Sequence, residues 1–220
     1  MALAVVILLL VIGSVVFHFA SPWWFTDIAS DWGSIDFTIN VTFWITGIVF
    51  VLLNLFLAYC VYKFRQKDGH KAVYEPENHK LETSLSVVTT IGVVAMLAPG
   101  LFVWASFVTV PENATEYEVM GQQWQWAFRY PGADGQLGFA ETALVTESNP
   151  FGVNLEDPRG QDDIIVTQPE MHLPVGKPVK ALLRSNDTLH NYTVPQFRVK
   201  MDLVPGLVSY LWFDPQKEGR

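Results

Sequence analysis

The chain has 220 residues, room for one or two domains; 50% are apolar and only 16% are charged, too few for a wholly soluble chain. Net charge is −8, and residues 111–220 carry fifteen Asp/Glu against nine Lys/Arg, which argues against nucleic acid and permits a basic protein partner. The single cysteine, Cys60, sits in an apolar run and can make no intrachain disulfide, so a buried, inert thiol is expected.

Residues 2–20 (ALAVVILLLVIGSVVFHFA) contain no charge. No basic segment precedes them, and His18-Phe19-Ala20 is a poor cleavage site, so a retained transmembrane helix is expected rather than a removed signal. At 1.5 Å per residue the run is roughly 28 Å long, enough to cross the hydrocarbon layer. Pro22-Trp23-Trp24-Phe25 follows as an aromatic cluster suited to the headgroup level. Phe37–Tyr62 reads as a second span and Ser84–Val110 as a third, two spans forming a hairpin after the preceding helix. The loop 63–84 holds five basic residues, Lys63, Arg65, Lys67, Lys71 and Lys80, and so faces the cytoplasm. Residues 1–110 are therefore expected to form a membrane anchor, with spans at about 2–20, 37–62 and 84–110, and residues 111–220 to lie outside.

After Pro111 the texture changes to short β-branched and aromatic segments punctuated by turns. Tyr117–Gly121, Trp124–Tyr130, Ile164–Thr167, Val179–Ser185, His190–Val194 and Gly206–Phe213 read as strands, and their spacing predicts a β-sandwich. Glu141–Asp163 reads as an irregular excursion bearing an acidic cluster, Glu156, Asp157, Asp162 and Asp163.

Five residues stand out. Trp124 and Trp126, two apart, share a face if both are in a strand, where core packing is the plain explanation. His190, within a strand pattern, is either a satisfied structural histidine or a metal ligand. Asp202 precedes Pro205-Gly206 and suits a turn cap. Glu82, just before the third span, is either an interfacial carboxylate reaching water or a group on a proton path.

From the second apolar run to the C-terminus the chain resembles subunit II of the haem-copper cytochrome c oxidases. The match rests on Ser185-x-Asp187-x-x-His190-x-x-x-Val194-Pro195, on Lys200-x-Asp202-x-x-Pro205-Gly206, and on Gly121-x-Gln123-Trp124-x-Trp126. The resemblance implies a cupredoxin-type sandwich outside a bacterial inner membrane, in the periplasm, with oxidase subunits I and III, a cytochrome c and the lipid membrane as partners. It implies that Trp124 takes up electrons from cytochrome c and that His190 is the first ligand of the binuclear copper site CuA. The haems and CuB lie in subunit I, where O2 is reduced with proton pumping, so this chain alone is not catalytic. It further places Asp202 at the haem propionates and magnesium of subunit I, and Glu82 at the mouth of a proton channel. Three departures touch these implications: Gln122 replaces a common histidine, Leu207 a common arginine, and Ser84-Leu85-Ser86 the usual aromatic-Thr continuation.

In the family the other CuA ligands lie on a later loop of pattern C-x-x-x-C-x-x-x-H-x-x-M, which does not occur within residues 1–220; His172 lies too far upstream to substitute. These residues alone are therefore expected to hold no copper. Three possibilities stand: the sequence continues, another chain supplies the loop, or the chain is a copperless relative of the quinol-oxidase type. A membrane-anchored cupredoxin module for binding or assembly is the alternative from another class.

Overall fold

The computed structural model describes residues 2–21, 26–71, 74 and 76–219, so the Pro22–Phe25 aromatic cluster lies outside the described residues. The chain divides into two compact units, Met1–Phe25 with Ile35–Phe102 and Thr26–Ser34 with Val103–Arg220.

Three helices, α1 (Ala2–Ala20), α2 (Gly33–Lys63) and α3 (His79–Val108), are each long and apolar enough to cross a membrane. Their apolar side chains point outward: Leu10, Phe56 and Phe102 are exposed, and α3 buries no residue at all. A helix apolar all round is stable only among lipid or other helices. Few residues are buried between helices: Ala4 and Val11 of α1 and Ala58 of α2. The two run antiparallel: His18 and Phe19 of α1 meet Phe43 and Trp44 of α2 at ring separations of 5.8 and 6.3 Å, while Ala4 and Leu8 share a cavity with Leu55 and Ala58. Thr42, Thr46 and Thr90 donate their hydroxyls to carbonyls four residues back, which satisfies them without water. α3 begins earlier than the apolar pattern suggests. Asn78 caps it, its side chain accepting the Leu81 N–H at 3.1 Å, so Glu82 lies inside the first turn rather than before the helix.

The second unit is a β-sandwich. Its strands are β1 (Thr115–Gln122), β2 (Gln125–Tyr130), β3 (Ile164–Val166), β4 (Val179–Ser185), β5 (His190–Val194), β6 (Val199–Leu203) and β7 (Ser209–Phe213). Five form one sheet in the order β3-β2-β1-β4-β7; β5 and β6 form a separate antiparallel hairpin. β1 lies parallel to β4 and antiparallel to β2. The expected strand at Gly206–Phe213 starts only at Ser209, because Pro205-Gly206 makes a turn with Gly206 at φ 78°. The run before it, Val199–Leu203, is a strand of its own.

β1 is buried on both faces. Tyr117, Val119 and Gly121 look towards the β5–β6 hairpin, where Tyr117 and Tyr192 bring their hydroxyls within 3.2 Å. Glu118 and Met120 look the other way, and the irregular stretch 141–163 covers that side with Phe151 and Val153, packed against Met120 and Ala127. At its centre Arg129 donates to Glu118 at 2.6–2.7 Å and to Asp163 at 2.7 Å, while Arg184 donates to Glu118 at 2.7 Å and to the Phe151 carbonyl at 3.0 Å. Residues 26–34, counted above with the membrane anchor, instead fold onto the sandwich as a strap. Ser30 bridges Pro215, and Trp32, 3% exposed, donates its indole N–H to the Trp212 carbonyl at 3.0 Å.

Candidate functional site

The expected site residues of the sandwich gather at one end of the β1–β2 and β5–β6 hairpins. The register pairs Gln122 with Gln125, so Gln123 and Trp124 form the turn between β1 and β2. Trp124 is therefore not on the strand with Trp126, and the shared-face expectation is corrected. Two residues that close a hairpin cannot keep the alternation of the strands they join. Trp124 is 96% exposed, which removes core packing as its explanation. Trp126, in β2, turns inward and meets His190 and Tyr192 edge-on at 6.1 and 6.5 Å.

His190 opens β5 and is half-buried, its Nε2 lying 2.7 Å from Asp187 Oδ1. A carboxylate only accepts, so Nε2 is the donor in this bond. The strand comes this close to β1 because Gly121 faces it: a Cβ there would stand 3.0 Å from Leu203 Cδ2 and 3.3 Å from His190 Cβ. Asp187 also accepts the backbone N–H groups of Gln123 at 2.6 Å and Thr188 at 2.7 Å. These bonds hold its carboxyl well below the usual carboxylate range, the Gln123 N–H first and the His190 ring next.

Asp202 sits in β6 opposite Asn191 and accepts from that side chain across the hairpin. It does not cap the Pro205-Gly206 turn as the pattern suggested. Its carbonyl instead receives the Ser209 hydroxyl at 2.6 Å. Glu82 is exposed, 3.8 Å from His79 Nδ1 one turn earlier on α3. The aspartates of the acidic cluster are engaged by hydrogen bonds. Asp163 pairs with Arg129, Asp162 accepts the Ala133 and Asp134 N–H groups at 2.6 and 3.2 Å, and Asp157 accepts the Phe139 N–H at 2.8 Å.

The residue that sequence reasoning passed over is Asp187. It counted only as a position in register with a motif, whereas the structure makes it the side chain between the Trp124 turn and the imidazole. Its signal was the Ser-x-Asp spacing, which puts a carboxylate over the N–H groups of a tight turn. Among the described residues no three His, Cys, Asp or Glu side chains are grouped to hold a metal ion, and Cys60 lies in α2.

Three helices apolar enough to cross a membrane, followed by a β-sandwich, define the class: a membrane protein with a polar β-domain. The family profile "Cytochrome C oxidase subunit II, periplasmic domain" matches residues 116–220. The chain is similar to the "Alternative cytochrome c oxidase subunit 2" of Bradyrhizobium diazoefficiens, 59% identical over 219 residues that cover 100% of this chain and 79% of the relative. It is also similar to the "Cytochrome c oxidase subunit 2" of Cereibacter sphaeroides, 29% identical over 194 residues that cover 80% of this chain and 63% of that one. Among solved structures, the periplasmic domain of cytochrome oxidase subunit II (CoxB) of Bradyrhizobium japonicum matches at 25% identity and TM-score 0.34, over 50% of this chain and 70% of that one. The chain belongs to the cytochrome c oxidase subunit II family.

Proposed function

We propose that this chain is the electron-accepting subunit of a respiratory haem-copper oxidase. Residues 1–110 anchor it in a bacterial inner membrane and residues 111–220 lie in the periplasm. There they receive electrons from cytochrome c and pass them to the haems of subunit I, where O2 is reduced with proton pumping. The observation that carries the reading is Trp124, an indole 96% exposed at a turn tied by hydrogen bonds to the His190 ring. A large apolar ring left in water on a short turn adds little to the fold and suits contact with a partner. His190 is assigned as one ligand of CuA, and Asp202 and Glu82 are assigned to the subunit I contact and the proton-channel mouth. Subunit III is a further partner.

The donors within these residues do not amount to a binuclear copper site. One imidazole is present, and the thiolates such a site needs are not grouped with it among the described residues. What the chain's own residues supply is the setting of that imidazole: Asp187 accepts from its Nε2, Gly121 lets the ring approach β1, and Trp126 packs its edge.

Trp124→Phe in the assembled oxidase tests the reading. Electron uptake from cytochrome c should slow, while subunit assembly and the weakening of docking by salt persist. An unchanged uptake rate removes Trp124 from the electron path. In the same complex Glu82→Gln should lower turnover without altering the haem spectra; full turnover would make Glu82 an ordinary interfacial carboxylate.

A further inference from the structure

The turn that carries Trp124 and the strand that carries His190 belong to different hairpins, and one side chain bonds to both. Asp187 lies in the β4–β5 connection, three residues before His190. Its Oδ2 accepts the Gln123 N–H at 2.6 Å, next to Trp124 in the chain. Its Oδ1 accepts the Thr188 N–H at 2.7 Å and lies 2.7 Å from His190 Nε2, with the Ser185 hydroxyl 3.4 Å away. Each oxygen therefore faces N–H donors of its own. Only a carboxylate answers both sides, because an amide would turn an NH2 towards one of them.

The need for such a clamp follows from the exposure of Trp124. Core residues are positioned by packing; an indole 96% exposed is positioned by its backbone alone. This end of β1 is also held by its ladders to β2 and β4 and by the Asn186 N–H on the Gly121 carbonyl at 3.3 Å, but these backbone bonds reach no ring. Asp187 fixes the residue before Trp124 and the His190 ring with a single rigid group.

We propose that Asp187 is a positioning residue that holds the Trp124 turn in register with the His190 imidazole, so that electron uptake at Trp124 depends on it. The proposal rests on the reading of Trp124 given above. A site of this kind works only if its groups are held to within about half an ångström, and charge-assisted hydrogen bonds from a second residue are a means of doing so.

The test uses Asp187→Asn and Asp187→Ala, in the full chain in detergent and in the assembled oxidase. In the full chain, hydrogen exchange of the backbone amides is read. Asp187→Ala should speed exchange at both Gln123 and Thr188 by about tenfold or more, and Asp187→Asn at one of the two, with Leu183 in β4 unchanged. In the oxidase, both variants should slow electron uptake from cytochrome c without raising its KM. The Trp124→Phe/Asp187→Asn double variant should be no slower than Trp124→Phe alone. Unchanged exchange at Gln123 and Thr188 in both variants overturns the clamp. Single effects that multiply in the double variant overturn the coupling to Trp124. If Trp124→Phe alone leaves uptake unchanged, the reading of Trp124 fails and the dependence of uptake on Asp187 falls with it, while the exchange result still decides whether Asp187 holds the turn.

Discussion

The two faces of the five-stranded sheet are buried by different chemistry. Beneath the stretch 141–163 lies a buried ionic group: the side chains of Glu118, Arg129 and Asp163 are each less than 5% exposed, with Arg184 beside them. Beneath the β5–β6 hairpin lies an aromatic layer of Tyr117, Trp126, Tyr130 and Tyr192, which ends at the half-buried His190 ring. The ionic face has its charges locked to one another and to backbone carbonyls. Glu118 and Arg129 also stand directly opposite in the β1–β2 ladder, so a slipped register would separate them. The aromatic face is open at one edge, and the sandwich groups for which a function is proposed sit there, held by surface hydrogen bonds. Stability and register thus reside on one face, and the proposed function at the margin of the other.

The comparison breaks most sharply at Arg129. Arg129→Met leaves Glu118 and Asp163 buried without their shared cation, and should cost about 3–5 kcal/mol of β-domain stability. The midpoint of denaturant unfolding measures it, and a loss below about 1 kcal/mol would mean that the ionic face is no lock. The aromatic face should yield less. The Tyr192 hydroxyl lies 3.2 Å from that of Tyr117 and donates to Met171 Sδ at 3.1 Å. Tyr192→Phe removes both contacts while keeping the ring, for an expected loss of about 1 kcal/mol. Burial raises the pKa of both phenols, so neither should ionise below the usual tyrosine range in a spectroscopic pH titration of the folded chain. Trp124→Phe should change stability by less than about 0.5 kcal/mol, as for a surface position. A loss as large as that at Arg129 would place Trp124 in the structural class and erase the contrast.

The aromatic face was the more legible from sequence. Strand alternation placed Trp126 inward, and the pattern around His190 pointed to a strand over His190–Val194. The ionic face was hidden because its partners lie far apart in the chain. Glu118, Arg129 and Asp163 meet only once β1 has paired with β2 and the excursion has folded over them. A run such as Glu156, Asp157, Asp162 and Asp163 looks like a solvated patch when nothing reveals which N–H groups it will face. The strap at residues 26–34 was hidden for the same reason: Trp32 finds its pocket against Trp212, 180 residues later. Trp124 was misplaced because alternation was carried through a turn. Helix α3 was drawn too short because apolar character, rather than the Asn78 cap, set its start.

The smallest expected effect lies at the rim of the ionic face, where pH separates surface bonds from the buried lock. Asp157 accepts the Phe139 N–H at 2.8 Å and pairs with Arg159 at 2.8 Å, and these hold its carboxyl well below the usual range, the Arg159 guanidinium first. Its folded pKa is thus depressed below the unfolded value of about 3.9, and the folded state binds fewer protons through that interval. The stability it contributes is present above about pH 4 and lost as pH falls through the folded value. Protection of the Phe139 amide against hydrogen exchange, corrected for intrinsic rate, should therefore stay level from pH 7 down to about 4 and drop below it. Asp157→Asn still has an oxygen for the Phe139 N–H but no charge for Arg159, so its protection should start lower and vary less with pH. Protection already falling between pH 6 and 5, or identical profiles for the two proteins, would assign the pH response to another group. Because Arg159 is exposed, solvent screens the pair, and the change should remain local to this rim while Val119 in β1 keeps its protection throughout.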